Sequence, residues 1–131
     1  MGFKFHTLDD GRSPAIEYLP AGVITPQAGM ALVQVNGLLA VASGATKPTY
    51  IAMTERENAC ESGEVIPVVR IQPDMVLGVP ASVGMGDVAL GEKVTISADG
   101  LSVTATVDGG VCEVIAKGGT DAGSEVLVRI A

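Results

Sequence analysis

The feature that most constrains this chain is a segment it carries twice. The first copy covers residues 29–71, opening GMALVQVNGLLAVASGATKPTYIAM and closing SGEVIPVVRI. The second covers residues 91–130, opening GEKVTISADGLSVTATVDGGVCEVIA and closing GSEVLVRI. Asn36-Gly37 aligns with Asp99-Gly100 at an offset of 63, and Val69-Arg70-Ile71 with Val128-Arg129-Ile130 at an offset of 59; the difference falls in the polar stretch 54–63 of the first copy. Asn-Gly and Asp-Gly are strong signals for a two-residue type I′ hairpin, because both central residues take positive φ. Folding the second copy about Asp99-Gly100 sets Ala98 opposite Leu101, Ile96 opposite Val103 and Val94 opposite Ala105. The alternate pairs are Ser97/Ser102, Thr95/Thr104 and Lys93/Thr106, so one face is apolar and the other polar. A slip of one residue would scramble both faces. In the first copy, Val35/Leu38, Val33/Ala40 and Ala31/Ala42 make a small apolar face. Its opposite face (Gln34/Leu39, Leu32/Val41, Met30/Ser43) is greasier, so it is expected to be covered.

The rest of the chain reads as further short strands. Residues 49–53 and 65–71 complete the first copy, with Pro67 suggesting an edge or a bulge in the latter. Residues 54–61 form a charged loop or a single helical turn, and residues 75–79 a bridging strand before Pro80. The second copy adds strands at 93–98, 101–107, 111–116 and 125–130. No segment sustains a 3.6-residue apolar period. The expectation is an all-β domain: a compact barrel or sandwich of short antiparallel strands with internal pseudo-twofold duplication, spanning residues 29–131. Residues 1–28 differ from the rest. Phe3 to Thr7 alternates as a strand could, residues 8–14 are turn-rich, and residues 15–20 are extended again. Three of the four Phe and Tyr residues of the chain sit here (Phe3, Phe5, Tyr18). Two readings stand side by side: an extended N-terminal arm that docks on a partner through its aromatics, or a first strand folded back over the open end of the barrel.

Composition narrows the function classes. A net charge of −7 argues against a nucleic-acid backbone as partner, since phosphate binding needs a basic surface. Aromatics at 3% with no Trp argue against stacking platforms for sugars or single strands. No stretch is apolar for long enough to cross a membrane as a helix, and the opening residues do not begin a secretory signal, so synthesis in the cytoplasm is expected. Cys60 and Cys112 permit one disulfide, but that compartment favours free, buried thiols.

Signals for chemistry are weak. His6, the single histidine, has no cysteine or carboxylate at ligand spacing. Gly84-x-Gly86-x-x-Ala89 matches a dinucleotide fingerprint as a string, but lacks the strand before it and the helix after it that hold a pyrophosphate. Residues 86–93 brush against a phosphate loop, yet Glu92 precedes Lys93 and Val94 stands where a hydroxyl must reach Mg²⁺. The acidic group Glu55, Glu57, Glu61 and Glu64 reads as a solvated loop. Arg70 and Arg129 close the two copies as outward residues on edge strands or as partner contacts. Nothing assembles a nucleophile, a base and an oxyanion donor, so a non-enzyme without cofactor or metal is expected.

The run PAIEYLPAG, TPQAGMALVQVNGLLAVASGATKPTYIAM, GEVIPVVRIQPDMVLGVP, the hairpin GEKVTISADGLSVTAT and the final EVLVRI resembles the small capsid decoration (head-stabilising, or cement) proteins of tailed bacteriophages. The resemblance covers nearly the whole chain and is one of pattern. It implies a structural virion protein made in the bacterial host, seated outside the expanded shell and bound to the major capsid protein. It also implies clustering as a trimer near three-fold positions and an N-terminal arm that ties capsomers together. Within the arm it points to Phe3, Phe5, Tyr18 and Leu19 as contacts. The greasy face of Met30, Leu32, Leu39 and Val41 would suit burial against a sibling subunit. The competing readings are a tail or fibre component and a carrier-like binding module. The carrier needs a modifiable lysine at a hairpin tip, where this chain has Asn36-Gly37 and Asp99-Gly100.

Overall fold

The computed structural model describes residues 2–7 and 15–131. The turn-rich residues 8–14 and the His6 side chain lie outside the described residues. The described residues form ten strands and no helix. They are β1 (Lys4–Thr7), β2 (Ile16–Ala21), β3 (Ala31–Val35), β4 (Leu38–Val41) and β5 (Tyr50–Ala52), then β6 (Glu64–Arg70), β7 (Val76–Pro80), β8 (Lys93–Val94), β9 (Cys112–Lys117) and β10 (Glu125–Ile130). Strands β2-β4-β3-β5-β6 close into a barrel, and β1-β7-β10-β9-β8 form a second sheet beside it.

The first hairpin folds in the register read from the sequence. Val35 pairs with Leu38, Val33 with Ala40 and Leu32 with Val41, and the turn carries φ of 53° at Asn36 and 81° at Gly37. Both faces of this hairpin are used. Leu32 and Leu39 are fully buried inside the barrel with Met30, Ile66 and Val68. On the opposite face Ala31 pairs with Ile51 and Ile51 with Val69, a row of small and branched side chains across three strands that packs on Met75 and on Leu77 and Val79 of the second sheet.

Several strand pairs of the first half have counterparts in the second. The β2–β6 pairs Tyr18↔Pro67 and Glu17↔Val68 recur sixty residues on as Gly78↔Leu127 and Leu77↔Val128. The parallel contact Ala21↔Leu39 that closes the barrel recurs as Ala81↔Val103. The pairs of β3 with β5 recur in β8 with β9. Inward parity sets this correspondence: Val68 and Val128 are both fully buried, so Val128 answers to Val68 and not, as the strings align, to Val69.

Two local expectations are corrected. The second hairpin keeps its register over residues 95–104, with Ile96↔Val103 bridged and Thr95 Oγ1 2.7 Å from Thr104 Oγ1. The expected strands 93–98 and 101–107, however, reduce to Lys93–Val94, which pairs with β9, and the Thr95 N–H donates to Thr106 O at 3.0 Å. The hairpin loop spans residues 98–101. Asp99 does not take positive φ; its carboxylate accepts from Ser97 Oγ (2.6 Å) and from the Leu101 N–H (3.0 Å), and only Gly100 is left-handed, at 73°. The carboxylate thus satisfies the donor that a two-residue turn would have returned to Ala98. Pro67, in turn, sits in a strand paired on both sides. It is tolerated because β5 ends at Ala52, and the Pro67 carbonyl still accepts from the Met53 N–H at 3.0 Å.

This hairpin also joins the two halves. Gly44 and Ile96 exchange backbone hydrogen bonds, the Ala31 N–H donates to Gly100 O at 2.9 Å, and Leu101 enters the barrel's own core cluster.

Candidate functional site

The side chains nominated from sequence divide sharply by burial. Phe3 is 2% exposed and belongs to the core between the barrel and the second sheet. Met30, Leu32 and Leu39 are buried in the barrel, with Val41 packed half-buried against them. The expected cover for that greasy face is therefore the chain's own barrel wall and Leu101, not a sibling subunit. The physical reason is closure: curling five strands into a ring turns one face of every strand inward. Leu19 likewise packs against the barrel core. Two nominated residues keep an outward face, Phe5 at 39% exposure and Tyr18 at 68%.

Beside each of these two the structure places apolar residues that sequence reasoning passed over. Strand β2 alternates, so Ile16 and Tyr18 point outward while Leu19 and Ala21 point in; Ile16 is 52% exposed. Antiparallel pairing sets Pro67 beside Tyr18 and Val65 beside Pro20, and Val65 is also 52% exposed. The alternation Ala15-Ile16-Glu17-Tyr18-Leu19 carried the signal, but which face lay outward depended on the pairing with β6. Between β1 and the barrel wall runs an apolar groove of about 380 Å³. Ile51, Val69 and Met75 form its floor, with Phe3, Phe5 and Met53 as walls.

The polar groups near this surface fix geometry. Glu17 receives Arg70 through two hydrogen bonds, Nε at 3.0 Å and an Nη at 3.2 Å, and the Arg70 guanidinium lies 5.0 Å from the centre of the buried Tyr50 ring. The Glu17 hydrogen bond, then the proximity of Tyr50, raise the Arg70 pKa above its ordinary value. Arg70 is thus at the barrel mouth in a doubly paired strand, which corrects the expectation of an edge position. The acidic loop is similarly tied down. Arg56 pairs with Glu64, the Cys60 N–H donates to Ile24 O at 2.7 Å, and the Arg56 N–H to Pro26 O at 2.9 Å. Both cysteines are free and buried, and burial pushes the Cys112 thiol up to about 12. Asp99 is held below the usual carboxylate range, first by Ser97. Among the described residues no three His, Cys, Asp or Glu side chains converge as metal ligands.

No protein-family model and no curated protein matches this chain. An apolar strip with an exposed tyrosine can bury area against another polypeptide, and the Glu17–Arg70 pair beside it limits which side chains fit.

Proposed function

We infer that this chain is a structural, non-catalytic protein that decorates the outer surface of a tailed-phage capsid and stabilises the expanded shell. The observation that carries the reading is how the apolar surface is distributed. The barrel and the second sheet consume their own inner faces, while Ile16, Tyr18 and Val65 on the paired strands β2 and β6, and Phe5 on β1, remain outward. A small contact patch of this kind is weak alone and strong when many copies engage a symmetric lattice, because linked contacts multiply. The acidic charge of −7 suits a protein that must sit on a shell without capturing free nucleic acid. The pattern shared with capsid decoration proteins supports the same role, with the major capsid protein as partner and a trimer as the assembled form.

Quantitative mass spectrometry of purified particles from the source culture tests the role. Copy number close to that of the main shell protein, or a simple fraction of it, is the expected result. A handful of copies per particle would move the chain to the tail or fibre, and its absence from particles would overturn the virion role.

A further inference from the structure

The two halves differ in one respect that bears on recognition. In the second half the outer edge of β7 is covered: β1 lies antiparallel along it, with Lys4↔Gly78, Phe5↔Leu77 and Thr7↔Val76. The corresponding strand of the first half is β2. The two edges share their hydrogen-bonding parity as well as their ladder. Ala21 O accepts from the Gly63 N–H at 2.7 Å, and sixty residues on Ala81 O accepts from the Gly123 N–H at 2.8 Å. Backbone groups alternate sides along a strand, so those of Glu17 and Leu19 also turn toward β6, and those of Ile16 and Tyr18 turn away from it. Gly78 and Val76, their counterparts, turn toward β1. At its far end each edge closes by one parallel contact, Ala21↔Leu39 or Ala81↔Val103. Beyond it the edge is filled by β1 in the second half. In the first half no strand among the described residues pairs with Ile16–Tyr18 on the side away from β6.

Resting on the contact role inferred above, we propose that the β2 edge at Ile16–Tyr18 docks an extended strand from a different polypeptide by antiparallel β-addition. Natural edges of this kind are protected by charge, proline or a bulge. Here Pro20 protects one end only, and Ile16 and Tyr18 stand 52% and 68% exposed beside it. The covered edge defines the chemistry of the occupant. The segment Phe3–Thr7, which contains β1, alternates Phe3 and Phe5 with Lys4 and His6 and carries no acidic residue. A strand with aromatic or branched side chains between basic ones also complements a body of charge −7. A second copy is the poorer occupant: β2 against β2 across a twofold axis would bring Glu17 against Glu17 and two bodies of charge −7 together. Main-chain hydrogen bonds then supply affinity, and the Tyr18 and Ile16 side chains supply selectivity.

The test uses a blocked synthetic peptide with the sequence of residues 2–7 as probe, titrated into the intact protein while backbone amide exchange is followed by NMR. At ten times its dissociation constant the peptide should slow exchange at the Ile16 and Tyr18 amides about tenfold. The same peptide N-methylated at its lysine should give no protection there, since it cannot donate across the new ladder. Tyr18→Pro should also abolish protection. That amide makes no bond to β6, and Pro20 already occupies the same parity, so the fold should survive; if it does not, the methylated peptide decides alone. Three outcomes would overturn the proposal: no slowing at Ile16 and Tyr18 at millimolar peptide, equal slowing by the methylated peptide, or slowing confined to Val76 and Gly78. A dimer in sedimentation whose Ile16 and Tyr18 amides are protected without peptide would assign the edge to a second copy and overturn it too. The particle measurement is independent. Absence from particles with a positive peptide result would reject the capsid role alone, and abundance on particles with no protection would reject the edge alone.

Discussion

Gly100 and Gly37 show how two glycines in similar turns can do different work. Both have positive φ, at 73° and 81°. A Cβ on Gly37 would meet nothing within 4 Å, whereas one on Gly100 would lie 2.9 Å from Val41 Cγ1 and 3.2 Å from Ala31 O. Gly37→Ala should therefore cost only backbone strain, about 1–2 kcal/mol. Gly100→Ala adds overpacking against the barrel and should cost about 2–5 kcal/mol. Equilibrium denaturation of the two variants measures the gap, and equal losses would show that the hairpin tip does not press on the barrel. The dipeptides marked both turns in the sequence, but their unequal surroundings were not legible. Asp-Gly is compatible with a two-residue turn, and only the packing of Gly100 on Ala31 and the competing Asp99 carboxylate select the longer loop.

At the scale of elements, the N-terminal strand and the residue before it carry two aromatics with opposite roles. Phe3 lies in the core and its N–H donates to Gly29 O at 2.8 Å, while Phe5 is partly exposed on the groove wall. Phe3→Ala should cost about 3–5 kcal/mol of stability. Phe5→Ala should cost about 1 kcal/mol, in keeping with partial burial. Thermal unfolding of the pair checks this, and a stability loss for Phe5 matching that for Phe3 would remove Phe5 from the contact surface. Period-two alternation made β1 and β2 legible as strands. It could not say that Phe3 is core, or that β2 pairs along its length with β6, because both depend on partners more than twenty residues away. The nomination of Met30, Leu32, Leu39 and Val41 as a contact face went astray for the same reason. An apolar face seeks cover, and the sequence does not say whether the cover is the same chain.

For the whole molecule, the barrel and the second sheet share one core. The row Ala31, Ile51 and Val69 packs on residues of the second half, and Leu101 of the second half enters the barrel. Unfolding should accordingly be a single cooperative transition, with far-UV circular dichroism and NMR peak intensities giving one midpoint. A fragment of residues 15–71 should remain unfolded alone, since it would expose that row and lose Leu101. Two separated transitions, or a folded fragment, would refute the shared core. The sequence by itself determined the all-β character, the register of the first hairpin and that of the second over residues 95–104, because these follow from short-range turn chemistry and alternation. Tertiary structure alone decided which face of each strand turns inward and which edge β1 covers. Those outcomes depend on ring closure and on contacts between distant segments, where a shift of one residue exchanges core for surface.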